Sequence, residues 1–224
     1  MNNVILSVVV GSRLHGLNKP DSDYDIRGIF MHPLCNLVSP FKTLKNTSWI
    51  EGDEDNTAYE LRDFCKLAAY GNPTILEIMW SDMVRENSPL GEELQANRHR
   101  FLDSKRIFEA HKGYAHNQYS KMNMFEPDAR TPKFAVAYIR VLVQGMQLLE
   151  SGTFSPQIGP EWREFLLDVK YNFRPDLVPV LAQRFSLLQV QFADCYAKHH
   201  DTFSPDVPWI EDYLYRAYTQ EVHE

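Results

Sequence analysis

The apolar positions of the chain fall into two regimes. Val4 to Val10 (VILSVVV) is a short, largely β-branched run ended by Gly11, the pattern of a buried strand. Tyr24 to Met31 (YDIRGIFM) predicts a second strand, entered from a Pro20-Asp21-Ser22 turn and followed by Pro33. Phe41 to Ile50 and Thr57 to Leu61 read as further strand pieces, the latter preceded by the acidic stretch EGDEDN. From Leu61 the period changes: Leu61, Phe64, Cys65, Leu67 and Ala68 recur at helical spacing up to a stop at Gly71-Asn72-Pro73. Thr74 is then placed to cap a short helix carrying Ile75, Leu76, Ile78 and Met79, with Glu77 inside it. Met83 to Leu90 reads as a strand and turn. Beyond residue 100 the pattern is helical only, over Arg106 to Phe125, Lys133 to Leu149, Trp162 to Tyr171, Pro175 to His199 and Val207 to Tyr218. The expected plan is α+β: an α/β lobe over 1–100 and an α-helical C-terminal lobe over 101–224.

Composition narrows this only modestly. At 44% hydrophobic and 24% charged residues, the 224-residue chain belongs with ordinary folded proteins. No apolar run approaches the ~18 residues of a membrane span, and no basic leader precedes the N-terminal apolar stretch, so a cytoplasmic protein without membrane contact is expected. Cys35, Cys65 and Cys195 are odd in number and far apart, which fits neither a disulfide framework nor a metal knuckle, and points to reduced thiols. A net charge of -7 argues against a general basic surface that coats nucleic acid, while leaving room for a local basic groove.

The candidate chemistry lies in residues 11 to 25, GSRLHGLNKPDSDYD. Asp23 and Asp25 stand at i and i+2 where a strand begins, so their carboxylates are expected on one face, roughly 6 to 7 Å apart along the chain. Two carboxylates held so close repel unless a cation lies between them. Hard Mg²⁺ or Mn²⁺ suits a site of carboxylate oxygens completed by phosphate oxygens and water. Gly11-Ser12 is the complementary half: a glycine after a strand admits close backbone approach to a ligand, and a following helix start favours anions. The plainer alternative is two turns and a polar strand edge.

The stretch GSRLHGLNKPDSDYDIRGIF closely resembles the signature of the DNA polymerase β-type nucleotidyltransferase superfamily, Gly-Ser followed after a gap by Asp-x-Asp or Asp-x-Glu. Through AYELRDFCKLAAYGNPTILEIMW, GYAHNQYSKM and KFAVAYIRVLVQGMQLLESG the chain is similar, over about residues 5 to 152, to the predicted nucleotidyltransferases associated with RNA repair. The resemblance implies a mixed β-sheet with flanking helices. In it Gly11 and Ser12 would hold the triphosphate of an NTP such as ATP, and Asp23 and Asp25 would ligate two Mg²⁺ ions. It implies transfer of a nucleoside monophosphate to an acceptor hydroxyl with release of pyrophosphate. RNA, including a tRNA end, is the favoured acceptor and a partner protein the alternative.

Members of the superfamily draw a third acidic residue from a later strand, and GDEDNTAYELRDF offers Asp55 and Glu60. Five apart, they would face opposite sides of one continuous strand, so only one can join the pair. The family stretch favours Asp55, with Glu60 the second choice or a cap for the following helix. Arg13 is a candidate phosphate contact, and His15 a contact to base or acceptor. Lys133, Ala137 and Arg140 fall at i, i+4 and i+7, one helix face, from which Lys133 and Arg140 would grip triphosphate or RNA backbone. At 137 the related pattern carries His where this chain has Ala137. A noncatalytic nucleotide-binding or regulatory module on the same fold is the rival class.

Overall fold

The apolar run near the N-terminus becomes the strand buried on both faces. In the computed structural model, which describes residues 3–45, 47–49, 57–123 and 131–220, strand β1 is Asn3–Val10. Ile5, Leu6, Val8, Val9 and Val10 are all buried, which is why the segment reads as continuously apolar instead of alternating. It is flanked by β2 (Asp25–Met31) and β5 (Val84–Asn87), both antiparallel to it. β4 (Thr57–Glu60) runs parallel to β2, and β3 (Thr47–Trp49) pairs antiparallel with β4. The five-stranded mixed sheet has the order β3-β4-β2-β1-β5, and it is a mixed sheet with flanking helices, as expected. All four residues of edge strand β5, VREN, are exposed, and its charges protect that edge from further pairing.

Of the expected strand Phe41 to Ile50, Thr47–Trp49 is the part that forms one among the described residues. Residues 41–45 lie outside the sheet, between α2 and β3: Phe41 stands 94% exposed, and the Lys42 ammonium turns back to donate to Asn36 Oδ1 at 2.6 Å.

The helices around the sheet start with α1 (Gly11–Leu14) and α2 (Leu34–Leu37), each a single turn, followed by α3 (Leu61–Ala69) and α4 (Pro73–Trp80). α4 begins two residues earlier than a Thr74 cap would have it, since proline at the first helical position lacks only a donor that would be unpaired there anyway. The segment expected as a turn after β5 is a helix, α5 (Pro89–Ala96), with Ser88 accepting from the Gly91 N–H at 3.3 Å. The serine cap and the proline after it were visible signals for this helix.

The chain divides into two compact units. The first holds the sheet with residues 1–69, 74–101 and 205–224. The last helix, α10 (Val207–Gln220), therefore belongs with the sheet, although the chain beyond 100 was expected to form one helical lobe. Tyr213 donates to the Leu90 carbonyl at 2.9 Å, and Arg216 pairs with Glu93 at 2.7 Å.

The second unit, residues 70–73 and 102–204, is built from α6 (Ser104–Asn123), α7 (Thr131–Ser151), α8 (Pro160–Tyr171) and α9 (Leu177–His199). α7 packs on the other three. Tyr138 of α7 lies on Phe185 of α9 with ring centroids 4.0 Å apart. Gly145 permits the closest approach: a Cβ there would come within 2.9 Å of both His111 and Phe192. Cys65 and Cys195 are buried, Cys35 is exposed, and none is bridged. No helix among the described residues is long and apolar enough to cross a membrane.

His111 makes the helical unit acid-sensitive. Burial holds its imidazole well below the ordinary value, at about 4; the Nδ1–H bond to the Ile107 carbonyl works against that shift, and the Arg140 charge adds to it. The unfolded chain takes up this proton near pH ~6.5 and the folded one only near 4, so acidification through that window favours unfolding. The loss amounts to about 3 kcal/mol once both forms are protonated. Urea unfolding at several pH values should show a steeper decline below neutrality for the wild type than for His111→Leu. Parallel profiles would refute the assignment.

Candidate active site

The turn that ends β1 and the start of β2 are brought together by strand pairing. Val10, the last residue of β1, is the register partner of Asp25, the first of β2. Gly11 follows with φ 69°, and a Cβ on it would stand 2.0 Å from Asp25 Oδ2 and 2.9 Å from Asp25 Cγ. The carboxylate thus lies against the glycine backbone, in space that any side chain at position 11 would fill. α1 is too short to sustain itself by helix propagation. It is closed instead by the His15 N–H to the Gly11 carbonyl at 3.1 Å and by the Leu17 N–H to the Ser12 carbonyl at 2.9 Å, with Gly16 at φ 67° releasing the chain. Ser12 is half-buried, and its hydroxyl has no protein partner among the described residues. It remains available to a ligand.

Asp23 is exposed and Asp25 half-buried. Asp23 precedes β2, so its position depends on the loop. Ser22 closes a turn by accepting from the Lys19 N–H at 2.8 Å while its own N–H returns to the Lys19 carbonyl at 3.1 Å. Arg13 then grips that turn. Its Nε donates to the Ser22 carbonyl at 3.1 Å and the Asp23 carbonyl at 3.3 Å, Nη2 reaches the Pro20 carbonyl at 3.2 Å, and the guanidinium lies 3.8 Å from the Tyr24 ring centroid. Arg13, the expected phosphate contact, holds the loop that presents Asp23. Lysine cannot reproduce this planar fork or its stacking. Arg13→Lys is expected to lower catalytic turnover roughly tenfold, the equivalent of one charged hydrogen bond, with the sheet intact by circular dichroism; unchanged turnover would dissociate the clamp from function.

The structure gives a partner to Glu77, the one charge within PTILEIMW, which with Asn72-Pro73 resembles the family's GNP turn and helix and otherwise reads as a helix stop and capped restart. Ile75, Leu76, Ile78, Met79 and Trp80 around it are 0–4% exposed, and Glu77 itself 6%. Its Oε1 accepts from the Gly11 N–H at 3.2 Å and lies 2.9 Å from His15 Nε2. His15, expected to reach a base or acceptor, is buried against this carboxylate.

Glu60 is 1% exposed and pairs in register with Phe30, five residues along β2 from Asp25 and therefore roughly 16 Å away. It accepts from the Arg62 N–H at 2.9 Å and the Asp63 N–H at 3.4 Å, and from the Tyr218 hydroxyl of α10. This is the helix-capping alternative. As the second candidate for third carboxylate, Glu60 is not beside the aspartate pair. Asp55 lies outside the described residues. Lys133 is exposed on α7, and Arg140 donates to Gln144 Oε1 at 3.0 Å; both belong to the helical unit, not to the unit carrying Gly11 and Asp25.

A divalent cation is the cofactor that the aspartate pair implies. The donors present fit one: Asp23 is solvent-facing and Asp25 is held against a glycine that leaves its carboxylate room, an all-oxygen pair of the kind hard cations prefer. Among the described residues, no group of three His, Cys, Asp or Glu side chains converges to hold a metal.

The site is thus a mixed sheet whose first strand ends at Gly-Ser beside an Asp-x-Asp that leads into its neighbour, the arrangement that the family comparison places among DNA polymerase β-like proteins. The chain belongs to the RNA repair pathway DNA polymerase beta family (RlaP), whose family model matches residues 1–174, and this membership supports a nucleotidyltransferase role. It is also similar to an uncharacterized 38.9 kDa protein in the nrdC-mobD intergenic region of Enterobacteria phage T4. That relative is 31% identical over 123 residues, 50% of this chain, and the match spans 36% of the relative's own length.

Proposed function

We propose that the protein transfers a nucleoside monophosphate from an NTP to an acceptor hydroxyl, with RNA the favoured acceptor. The observation that carries this reading is the contact between Gly11 and the Asp25 carboxylate, which sets a backbone turn suited to phosphate beside an acidic pair suited to cations. The family's RNA-repair description supports RNA, including a tRNA end, over a partner protein.

In this reading the Ser12 hydroxyl and the backbone N–H groups of residues 12–14 bind the triphosphate, and Asp23 and Asp25 would hold Mg²⁺ or Mn²⁺, two ions in all. Bound divalent cations supply charge stabilisation to the phosphoryl oxygens and to the entering and leaving oxygens. The acceptor oxygen forms a bond to the α-phosphorus as the bond to the β-phosphate bridging oxygen breaks, and pyrophosphate leaves. The acceptor's proton goes to a carboxylate, for which Asp55 is the candidate. Arg13 keeps the Asp23 loop in place throughout.

The test supplies each α-labelled NTP with Mg²⁺ or Mn²⁺ and total cellular RNA and protein. Metal-dependent label on RNA supports the reading, and label on protein reassigns the acceptor. Nucleotide binding without transfer to any acceptor would favour a noncatalytic regulatory module.

A further inference from the structure

We propose that Glu77 is a positioning residue that clamps both ends of the phosphate-binding turn, through the Gly11 N–H at one end and the His15 ring at the other. This rests on the nucleotide-binding reading of that turn. A carboxylate buried among apolar side chains is unfavourable unless it is paired and hydrogen-bonded. Here one oxygen accepts from the Gly11 N–H and stands 2.9 Å from His15 Nε2, a close approach without hydrogen-bond geometry. Both groups belong to one five-residue segment, so the carboxylate acts on a turn that cannot hold itself: α1 has four residues, and positive-φ glycines stand at 11 and 16.

The support for Glu77 is rigid. Four residues on, Ser81 Oγ donates to the Val9 carbonyl at 2.9 Å, and the Val9 N–H bonds the Met83 carbonyl at 2.9 Å. The C-terminal end of α4 is therefore registered on β1 just before the turn, and Glu77 reaches the turn from a fixed base. One consequence concerns the ligand. Because Glu77 takes the Gly11 N–H, that donor is not offered to phosphate, and the anion is left to Ser12 and the residues after it. Glu77 also fixes Gly11 where it lies under Asp25, so the clamp couples the phosphate half of the site to the carboxylate half.

Four proteins test this: the wild type, Glu77→Gln, Glu77→Leu and the double variant His15→Leu/Glu77→Leu. Each is titrated calorimetrically with the four Mg²⁺-NTPs, and amide exchange at residues 11–16 is measured without nucleotide. Glutamine keeps an acceptor for Gly11 and should bind nucleotide nearly as the wild type does. Glu77→Leu should exchange faster at Gly11 and Ser12 and bind roughly tenfold to a hundredfold more weakly, the range for a lost hydrogen bond to a charged group. The double variant removes both buried polar groups, so it should regain thermal stability but not affinity. If affinity returns with stability, the pair is only a buried structural contact and the proposal is overturned. It is also overturned if Glu77→Leu binds and exchanges as the wild type does. A wild type that binds none of the four nucleotides would refute the nucleotide reading and this proposal with it, whereas a wild type that binds while Glu77→Leu is unaffected removes only the clamp.

Discussion

Asp25→Asn and Asp23→Asn are each expected to lower nucleotide transfer by about a thousandfold or more while leaving the fold intact. The expectation follows from what each carboxylate touches. Asp23 is exposed ahead of β2, and its main chain is held by Arg13 through a carbonyl, so amidation removes charge without removing a structural bond. Asp25 is fixed by its register with Val10 and its contact with Gly11, and asparagine keeps that shape. The loss is that of charge stabilisation by a bound cation, worth several kcal/mol of barrier, or about three decades in rate. Thermal stability should be unchanged or slightly higher, because a pair of like charges has been reduced to one. Transfer rates and melting temperatures measured on the same preparations decide the matter. Retained transfer in either variant would remove that aspartate from the site.

Gly11→Ala should be nearly as damaging to turnover, for a steric reason that a second glycine isolates. Both Gly11 and Gly16 have φ near 68°, at 69° and 67°. Alanine at either pays the left-handed backbone penalty, about 1–2 kcal/mol. A Cβ at Gly16 meets nothing within 4 Å, whereas one at Gly11 meets Asp25 Oδ2 at 2.0 Å and must push the carboxylate away. The two variants should therefore lose similar stability, but only Gly11→Ala should lose transfer, by roughly a hundredfold, the order expected when a reacting group is displaced by about 1 Å. Equal activity in the two would mean that Asp25 does not need its present position.

Much of this was legible before any coordinates. The run VILSVVV predicts β1 because a strand covered on both faces has no polar side to alternate with, and YDIRGIFM predicts β2 to within one residue of Asp25–Met31. The Gly-Ser and Asp-x-Asp pairs are legible because turn glycines and closely spaced carboxylates are local signals. Of Phe41 to Ile50, residues 41–45 are not strand: the apolar positions there carry strand propensity, but the Lys42 to Asn36 bond holds this segment back toward α2, outside the sheet. The α5 helix was overlooked although Ser88 and Pro89 announce it.

What the sequence by itself determined is thus the local grammar: the buried strand, the turn that follows it, the aspartates at the start of the next strand, and the long amphipathic helices. Tertiary structure alone decided the partners. It set Arg13 on the carbonyls of residues 20, 22 and 23, and set Glu60 on the helix it caps with the Tyr218 hydroxyl beside it. It also brought Glu77 across 66 positions to Gly11, and returned α10 to the sheet. The reason is physical. Spacing along a strand or helix sets which face a side chain occupies, but whether a charge meets solvent, ligand or a buried donor depends on segments far away in the chain, and their approach leaves no periodic mark in the sequence.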